Sequence, residues 1–278
     1  MNRNRRLVSA LCRRAGMSRQ NYYARRRERQ RQSFDAALIV RLVERERHCH
    51  PRIGARKLFV MLEGELAENN VRVGRDRLFA VLRENGLLVE RKPSRPKTTC
   101  SRHSLPVFRN LVADMVVTAP NQVWVSDLTY IRTEEGFMYA ALITDKFSRK
   151  IVGSFIDDSL ESEGCIQALK QAQRSLPPDI HPIHHSDRGT QYCCHRYVEQ
   201  LLKCEMGISM TEILHCYENA MAERINGILK QEYGMDATFP DKATARKAFH
   251  QAIWLYNHRR PHMGIEYQIP EEVHRMAS

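Results

Sequence analysis

Residues 122–131 read QVWVSDLTYI, and Asp127 interrupts a stretch that is otherwise rich in β-branched and aromatic side chains. This composition is typical of a β-strand. Two similar stretches follow, FMYAALITDKF at 137–147 and KIVGSFID at 150–157. Because short polar connections, Glu-Glu-Gly and Ser-Arg, separate the three, the sequence predicts a three-stranded meander.

After the meander, the pattern alternates between apolar strands and amphipathic helices. This alternation predicts an α/β sandwich. The predicted elements are a helix over 161–175, a strand over 183–186, a helix over 196–206, a strand over 208–211, and helices over 219–232 and 242–258.

The first 32 residues are strongly basic, with eleven arginines against one acid, Glu28. Apolar residues at helical spacing, a turn at 15–17 and Ser18 as an N-cap predict a helix-turn-helix. Arg19, Arg25 and Arg26 are therefore candidate DNA contacts. A solvated basic helix that reads no bases fits the same pattern equally well.

A second helical module is predicted over residues 33–90, where three apolar faces recur at helical spacing. Arg75 and Arg77 begin its third helix, so both are candidate DNA contacts. Residues 91–117 combine prolines, serines and cations without periodicity and predict a basic linker. The remaining residues, 118–278, form the predicted α/β domain.

The net charge of the chain is +12, which favours a polyanionic partner such as nucleic acid. No stretch of about 18 apolar residues is present, and the N-terminus does not resemble a signal peptide. We therefore expect a cytoplasmic protein without a membrane partner.

Three acids stand where a metal site could form. Asp127 lies inside a strand, Asp187 ends the stretch IHHSD, and Glu223 lies in the first turns of a helix. A carboxylate in an apolar strand needs a compensating partner, and a small set of carboxylates can hold two divalent cations for phosphoryl transfer. The 35 residues between Asp187 and Glu223 are weak support alone, because glutamate is common.

The sequence around these acids resembles bacterial insertion-sequence transposases with a DDE core, which is related to retroviral integrases and RNase H. Within that family, the chain is similar to the OrfB product of elements with two overlapping reading frames. The resemblance is carried by five ordered blocks: Trp124–Ile131 (WVSDLTYI), Asp145–Gly153 (DKFSRKIVG), His185–Tyr192 (HSDRGTQY), Asn219–Glu223 (NAMAE) with Leu229-Lys230, and Tyr256–His262 (YNHRRPH).

This resemblance implies an RNase H-like integrase catalytic core, an α/β domain preceded by small all-α helix-turn-helix modules. Asp127 and Asp187 would lie on neighbouring strands, with Glu223 approaching from its helix, and together they would hold two magnesium ions, for which manganese could substitute. Lys230, two turns after Glu223, would contact the DNA end. Arg259, in the last block, is a further candidate DNA contact.

The implied function is a DNA transposase, a polynucleotidyl transferase acting on double-stranded terminal repeats and target DNA. The resemblance also implies a homo-oligomer on DNA, a first-frame OrfA partner and an association with the bacterial nucleoid. The main alternative is a catalytically inactive DNA-binding repressor or domesticated element. A ribonuclease H or other nuclease would share the acids but would leave the arginine-rich N-terminus unexplained.

Overall fold

The computed structural model describes residues 3–90, 105–212 and 219–276. It divides into two compact units. The helical unit consists of Met1–His48 and Gly54–Val89, and the sheet unit consists of Cys49–Ile53 and Glu90–Ser278. Over the described ranges, no helix combines the length and the apolar character needed to cross a membrane.

The helical unit begins with two helices that are joined by a short turn, and a DNA-binding role for this pair remains a prediction. Gly16 adopts a left-handed conformation (φ +63°) in the turn, and the Ser18 hydroxyl accepts a hydrogen bond from the Asn21 amide at 3.1 Å, as an N-cap does. The helices of this part of the chain are α1 (Arg3–Arg14), α2 (Arg19–Cys49), α3 (Ala55–Glu68) and α4 (Arg75–Glu84).

Helix α2 runs through the boundary predicted between residues 32 and 33. Its first half is rich in arginine and glutamine, which are good helix formers, and no residue from Arg19 to Phe34 is buried. The second half supplies buried Ile39, Leu42 and Val43. The two segments predicted as separate modules therefore share one helix and belong to one unit.

The sheet unit contains a mixed sheet with the strand order β3-β2-β1-β4-β5. Strands β1, β2 and β3 form the predicted antiparallel meander, while β4 and β5 run parallel to β1. A short β6 pairs with the far end of β1. The strands are β1 (Val123–Thr133), β2 (Gly136–Asp145), β3 (Ile151–Asp157), β4 (Ile183–Ser186), β5 (Gly207–Met210) and β6 (Thr238–Phe239).

Helices cover both faces of this sheet. On one face, α5, α6 and α7 pack against Trp124, Ala141 and Ile143. On the other face, α8 and α9 pack against residues such as Ile131 and Leu142. The helices of the sheet unit are α5 (Ser162–Gln173), α6 (Thr190–Cys193), α7 (His195–Lys203), α8 (Ala220–Glu232), α9 (Lys242–His258) and α10 (Pro270–Met276), with a 3-10 turn at Met263–Ile265.

The last part of the predicted linker 91–117 is packed against the sheet unit. Residues 91–104 lie outside the described residues, but Val112 is buried, and the Leu111 amide donates to Ser209 Oγ on β5 at 2.9 Å. Leu105 and Phe108 pack against the core under α5 and α7. The prediction of a linker is wrong for residues 105–117, because apolar residues between the cations anchor this stretch.

Candidate active site

Asp127 faces helix α8 because side chains alternate along β1. Val123 and Val125 pack against Ala222 of α8, and residue 127 continues this set. Asp127 Oδ2 accepts a hydrogen bond from Asn226 Nδ2 at 2.7 Å, and Oδ1 accepts one from the Leu128 amide at 2.9 Å. Both oxygens of the carboxylate are therefore oriented.

Burial and the nearby carboxylate of Asp187 raise the pKa of Asp127 to about 7. The hydrogen bonds from Asn226 and Leu128 oppose this shift, and the charge of Glu223 adds to it. Asp187 and Glu223, which are distant in the sequence, are therefore close enough in the structure to influence Asp127 electrostatically.

Asp187 directly follows β4, which runs parallel to β1. Val125 pairs with His185, so the same register two residues on places Asp187 beside Asp127. The Gly189 amide donates to Asp187 Oδ1 at 2.9 Å. A Cβ at Gly189 would lie 3.0 Å from this oxygen, so glycine leaves room for the carboxylate.

Glu223 lies in the first turn of α8, between two asparagines that join this helix to β1. Asn219 Nδ2 donates to the backbone oxygen of Ser126 at 3.0 Å, and Asn226 donates to Asp127. Residues 219, 223 and 226 share one face of a helix with 3.6 residues per turn. The two amide contacts therefore fix the helix that carries Glu223 against the strand that carries Asp127.

The donor set of this site fits a hard divalent cation. Carboxylate oxygens are the ligands that magnesium prefers. Within the described ranges, the amide oxygens of Asn219 and Asn226 are buried without a hydrogen-bond partner, so both can accept from a hydrated ion. Among the residues that the structure describes, no three His, Cys, Asp or Glu side chains already converge as a metal-binding group. The three acids are therefore near one another, but their side chains do not already form a complete set of metal ligands.

A buried histidine supports the strands beneath the acids. His184 Nε2 lies 2.7 Å from Ser126 Oγ and 2.9 Å from Tyr197 Oη, which links β4 to β1 and α7. Burial lowers the pKa of His184 to about 3, so its ring is neutral. His184 therefore holds the residue next to Asp127 without adding charge to the site.

Asp145, the other strand aspartate, is structural. It accepts hydrogen bonds from the Ser148 amide and hydroxyl and from the Asn121 amide. Burial raises the pKa of Asp145, but the hydrogen bonds from His274 and Ser148 outweigh burial and lower it. The carboxylate of Asp145 is thus committed to the β2–β3 turn.

The block Tyr256–His262 also has a structural role. Asn257 accepts a hydrogen bond from the Ile151 amide and donates to the Ile151 oxygen, both at 2.9 Å. Arg260 forms a bidentate ion pair with Glu232 of α8 at 2.8 and 3.0 Å. These contacts tie the end of α9 to the first residue of β3 and to the end of α8.

The candidate DNA contacts of the sheet unit lie in different places. Lys230 is partly buried on α8, two turns after Glu223, as its spacing predicts. Arg259 is exposed just after α9. A role in DNA binding remains a prediction for both residues.

The candidate arginines of the helical unit differ in their surroundings. Arg19, Arg25 and Arg26 are exposed along the first half of α2. Arg75 lies within 3.3 Å of Asp76, and Arg77 lies within 3.8 Å of Glu84, each as an exposed ion pair. The three α2 arginines are the stronger candidates, because acidic neighbours already offset the charges of Arg75 and Arg77.

Two residues that position the acids, Asn226 and Gly189, are not among those predicted from the sequence. Asn226 lies three residues after Glu223, and this helical spacing is the signal that could have identified it. Gly189 follows Asp187 by two residues, but only the structure reveals that a side chain there would crowd the carboxylate.

Two family models, both described as the integrase core domain, match residues 117–216 and 205–270. The first match contains Asp127 and Asp187, and the second contains Glu223. The predicted α/β integrase-core fold is thereby confirmed for this part of the chain.

Curated relatives match nearly the whole chain. The insertion element IS600 uncharacterized 31 kDa protein of Shigella sonnei is 35% identical and covers 96% of this chain and 100% of its own length. Transposase InsF for insertion sequence IS3A of Escherichia coli (strain K12) is 31% identical, covering 95% and 93%.

Among solved structures, the HTLV-2 integrase catalytic core domain in complex with magnesium is 19% identical. It covers 60% of this chain and 99% of its own, with a TM-score of 0.45. The insertion-element proteins match nearly the whole chain, and the two integrase-core matches lie within the sheet unit. The chain therefore belongs to the bacterial insertion-sequence transposases that carry an integrase core domain.

Proposed function

We propose that this protein is a DNA transposase that cleaves and joins the ends of an insertion element. The observation that carries the proposal is the position of Asp127, whose pKa responds to both Asp187 and Glu223. Asp187 and Glu223 thus lie near enough to Asp127 to affect its ionisation, which supports assigning the three acids to one site. Family membership supports assigning DNA strand transfer to this place.

We assign Asp127, Asp187 and Glu223 as the ligands of two magnesium ions, for which manganese can substitute. When bound, the ions supply Lewis-acid stabilisation of the charge that develops on the phosphoryl oxygens. The hydrogen bonds from Asn226 and from the Gly189 amide hold two of the three carboxylates in fixed orientations. Pre-oriented ligands lower the reorganisation needed at each step.

The proposed reaction has two in-line steps. In the first, a water oxygen bonds to phosphorus at the element end, the bond from phosphorus to the 3′ oxygen breaks, and that oxygen leaves as a hydroxyl. In the second, this hydroxyl bonds to phosphorus in another strand and displaces its 3′ oxygen. Lys230, on the same helix as Glu223, would neutralise a phosphate of the bound end.

We propose double-stranded terminal repeats and target DNA as the substrates. One set of three acids per chain and two element ends imply at least two copies on the DNA, and a closed symmetric assembly is the usual solution. A first-frame OrfA partner would supply further DNA binding.

Substitution of the acids tests the proposal. We expect Asp127→Asn, Asp187→Asn and Glu223→Gln each to reduce strand transfer by about three orders of magnitude or more, because each removes a charged ligand of the reaction centre. Binding to the same DNA should remain within about twofold, since phosphate contacts lie elsewhere. The measurement is a strand-transfer assay with pre-cut end DNA in magnesium or manganese, alongside fluorescence anisotropy for binding.

Asp114→Asn is the matched control, because Asp114 is an exposed aspartate of the sheet unit. It should join ends at the parent rate. Products of hydrolysis without joining would indicate a nuclease, and binding without any product in the parent protein would indicate a DNA-binding repressor. A variant of the three acids that still joins ends would remove that residue from the site.

A further inference from the structure

Two arginines of the sheet unit are largely enclosed, but their surroundings differ. Arg260 is 2% exposed and forms a bidentate ion pair with Glu232. Burial lowers the pKa of Arg260, but the Glu232 carboxylate outweighs burial, so the pKa is raised overall. Arg149 forms no ion pair with any described residue, and its Nε is buried without a hydrogen-bond partner among them. Within the described ranges, one guanidinium is thus paired directly with a carboxylate, whereas the other is influenced by the charge of Asp145 but has no carboxylate within ion-pair distance.

The backbone of Arg149 is fixed in the β2–β3 turn. Arg149 adopts a left-handed conformation (φ +67°), its amide donates to the Asp145 oxygen at 3.0 Å, and its own oxygen accepts from Tyr256 Oη at 2.9 Å. A left-handed conformation costs free energy in a residue with a side chain. The turn therefore fixes the backbone that carries the Arg149 side chain, at a cost in conformational free energy.

The Arg149 side chain points to the first turn of α8. Its Nη1 lies 2.7 Å from Met221 Sδ, and a thioether is a weak acceptor compared with a carboxylate or phosphate oxygen. Met221 precedes Glu223 by two residues. The guanidinium thus lies beside the helix that carries one of the three acids, with a weak acceptor as its neighbour.

A second cation in the same turn strengthens the positive charge. Lys146 is partly exposed, and its pKa is lowered first by burial and then by the charge of Arg149. Asp145, the acid of this turn, accepts from Ser148 and Asn121 instead. Two like charges are therefore close together, and the Asp145 carboxylate of this turn accepts hydrogen bonds rather than pairing directly with either cation.

We propose that Arg149 and Lys146 bind a backbone phosphate of DNA beside the first turn of α8. A phosphate oxygen would replace the thioether as the acceptor of the Arg149 guanidinium. It would also lie near the N-terminus of a 13-residue helix, where the helix dipole favours anions. This inference rests on the proposed function, because DNA is the polyanion that the sheet unit would handle.

The double variant Arg149→Met and Lys146→Met tests the proposal in the full chain. Binding of a duplex element end is measured by fluorescence anisotropy in EDTA over a series of KCl concentrations. Each lost phosphate contact should reduce the slope of log K against log [KCl] by about 0.9. We expect a reduction of about 1 to 2 and an affinity about tenfold lower in low salt.

Arg174→Gln is the control for loss of a distant cation, because Arg174 is exposed at the end of α5, on the sheet face opposite α8. It removes one charge, as Lys146→Met alone does. It should change the slope by less than about half as much as the double variant. If the double variant does not fold, the salt dependence of DNA binding is measured with Lys146→Met alone. An unchanged slope in either test variant, or an equal change in the control, overturns the proposal.

Two further measurements distinguish a DNA phosphate site from a structural arginine and from a free-anion site. Arg149→Met should keep the parent melting temperature, whereas a marked fall would make Arg149 structural and overturn the proposal. Inorganic phosphate should stabilise the parent protein less than the duplex does; an equal effect would identify a free-anion site instead. Because EDTA prevents turnover, failure of strand transfer in the parent would count against the proposed function alone.

Discussion

Asp127 is subject to two opposing requirements under the proposed function, since the strand that presents it is apolar while the proposed metal site needs it ionised. Burial and two neighbouring acids raise its pKa, so the folded protein holds the proton more tightly than the unfolded chain does. Stability contributed by this group is therefore lost as the pH rises from about 4 towards 7. Above pH 7 the loss is constant. The ionised carboxylate that the proposed metal site requires thus lowers the stability of the metal-free fold.

We therefore expect Asp127→Asn to stabilise the metal-free protein at pH 8, although it removes activity. One pKa unit corresponds to about 1.4 kcal/mol, and after the loss of a hydrogen bond the gain should be on the order of 2 kcal/mol. The gain should shrink towards pH 5, where the native carboxyl is protonated. Urea unfolding in EDTA at the two pH values measures it.

Asp114→Asn, which changes an exposed carboxylate, controls for a general charge effect and should shift stability by less than about 0.5 kcal/mol. A variant at Asp127 that is no more stable than the parent at pH 8 would contradict the destabilising effect of the buried charge. So would a gain that grows towards pH 5.

At the scale of elements, β3 and α5 pack unusually closely at Gly153. A Cβ at this position would overlap the carbonyl oxygen of Ala168 and lie 2.9 Å from Ala172 Cβ. Both neighbours belong to α5, and one of the two atoms is backbone, so neither can move aside by changing a rotamer. The glycine that ends the block Asp145–Gly153 thus sets the distance between helix and sheet.

Gly153→Ala should therefore destabilise the protein by about 3 kcal/mol, the upper end of the range for an overpacked core. The measurement is urea unfolding of the full chain. Gly227→Ala is the matched control: Gly227 lies inside α8, with no described atom within 4 Å of an added Cβ. Because alanine favours helices over glycine, this variant should gain about 1 kcal/mol. Equal effects of the two substitutions would contradict the close packing at Gly153.

Elements governed by local patterns could be predicted from the sequence. The strand Ile183–Ser186 and the helix Lys242–His258 have the predicted bounds, because their apolar periodicity and flanking residues are local signals. Helix α6 and strand β6 were not predicted, since four and two residues show no periodicity. The domain boundary predicted between residues 32 and 33 is not present, because a continuous run of helix-forming residues extends α2 across it.

The candidate site was likewise only partly predictable from local sequence patterns. Sequence blocks are enough to nominate Asp127, Asp187 and Glu223, but not the contact of Asn226 with Asp127, which joins residues 99 positions apart. The Arg149 contact with Met221 spans 72 positions. Spacing along α8 can nominate Asn226, but which residues it and Met221 contact depends on how α8 packs on the sheet, and no single-sequence pattern encodes that packing.

At the scale of the whole molecule, the positive charge is concentrated in one stretch. The first half of α2 is exposed and carries Arg19, Arg25 and Arg26, and the acids proposed for catalysis belong to the other unit. We therefore expect α2 to supply much of the affinity for DNA and the sheet unit to supply the chemistry. Affinity that arises from arginines should fall steeply with salt.

Replacement of Arg19, Arg25 and Arg26 by Gln should reduce the salt slope of DNA binding by up to about 3. The reason is the loss of up to three phosphate contacts, and fluorescence anisotropy over a KCl series measures it. Arg75→Gln with Arg77→Gln is the comparison, because acids already lie beside these two side chains. A larger effect from that pair would place the DNA on α4 instead of α2.

The chain enters the sheet unit twice, first through Cys49–Ile53 and again after the helical unit. The short first passage is firmly held: His50 is 1% exposed and lies 3.1 Å from Tyr233 Oη, and the Arg52 amide donates to the Glu232 oxygen at 3.2 Å. An exchange of helices between related transposases would therefore fail as a simple cut near residue 90. A chimera that takes its helical unit from a relative must therefore keep residues 49–53 from the protein that supplies the sheet unit, although relative-derived sequence lies on both sides of them.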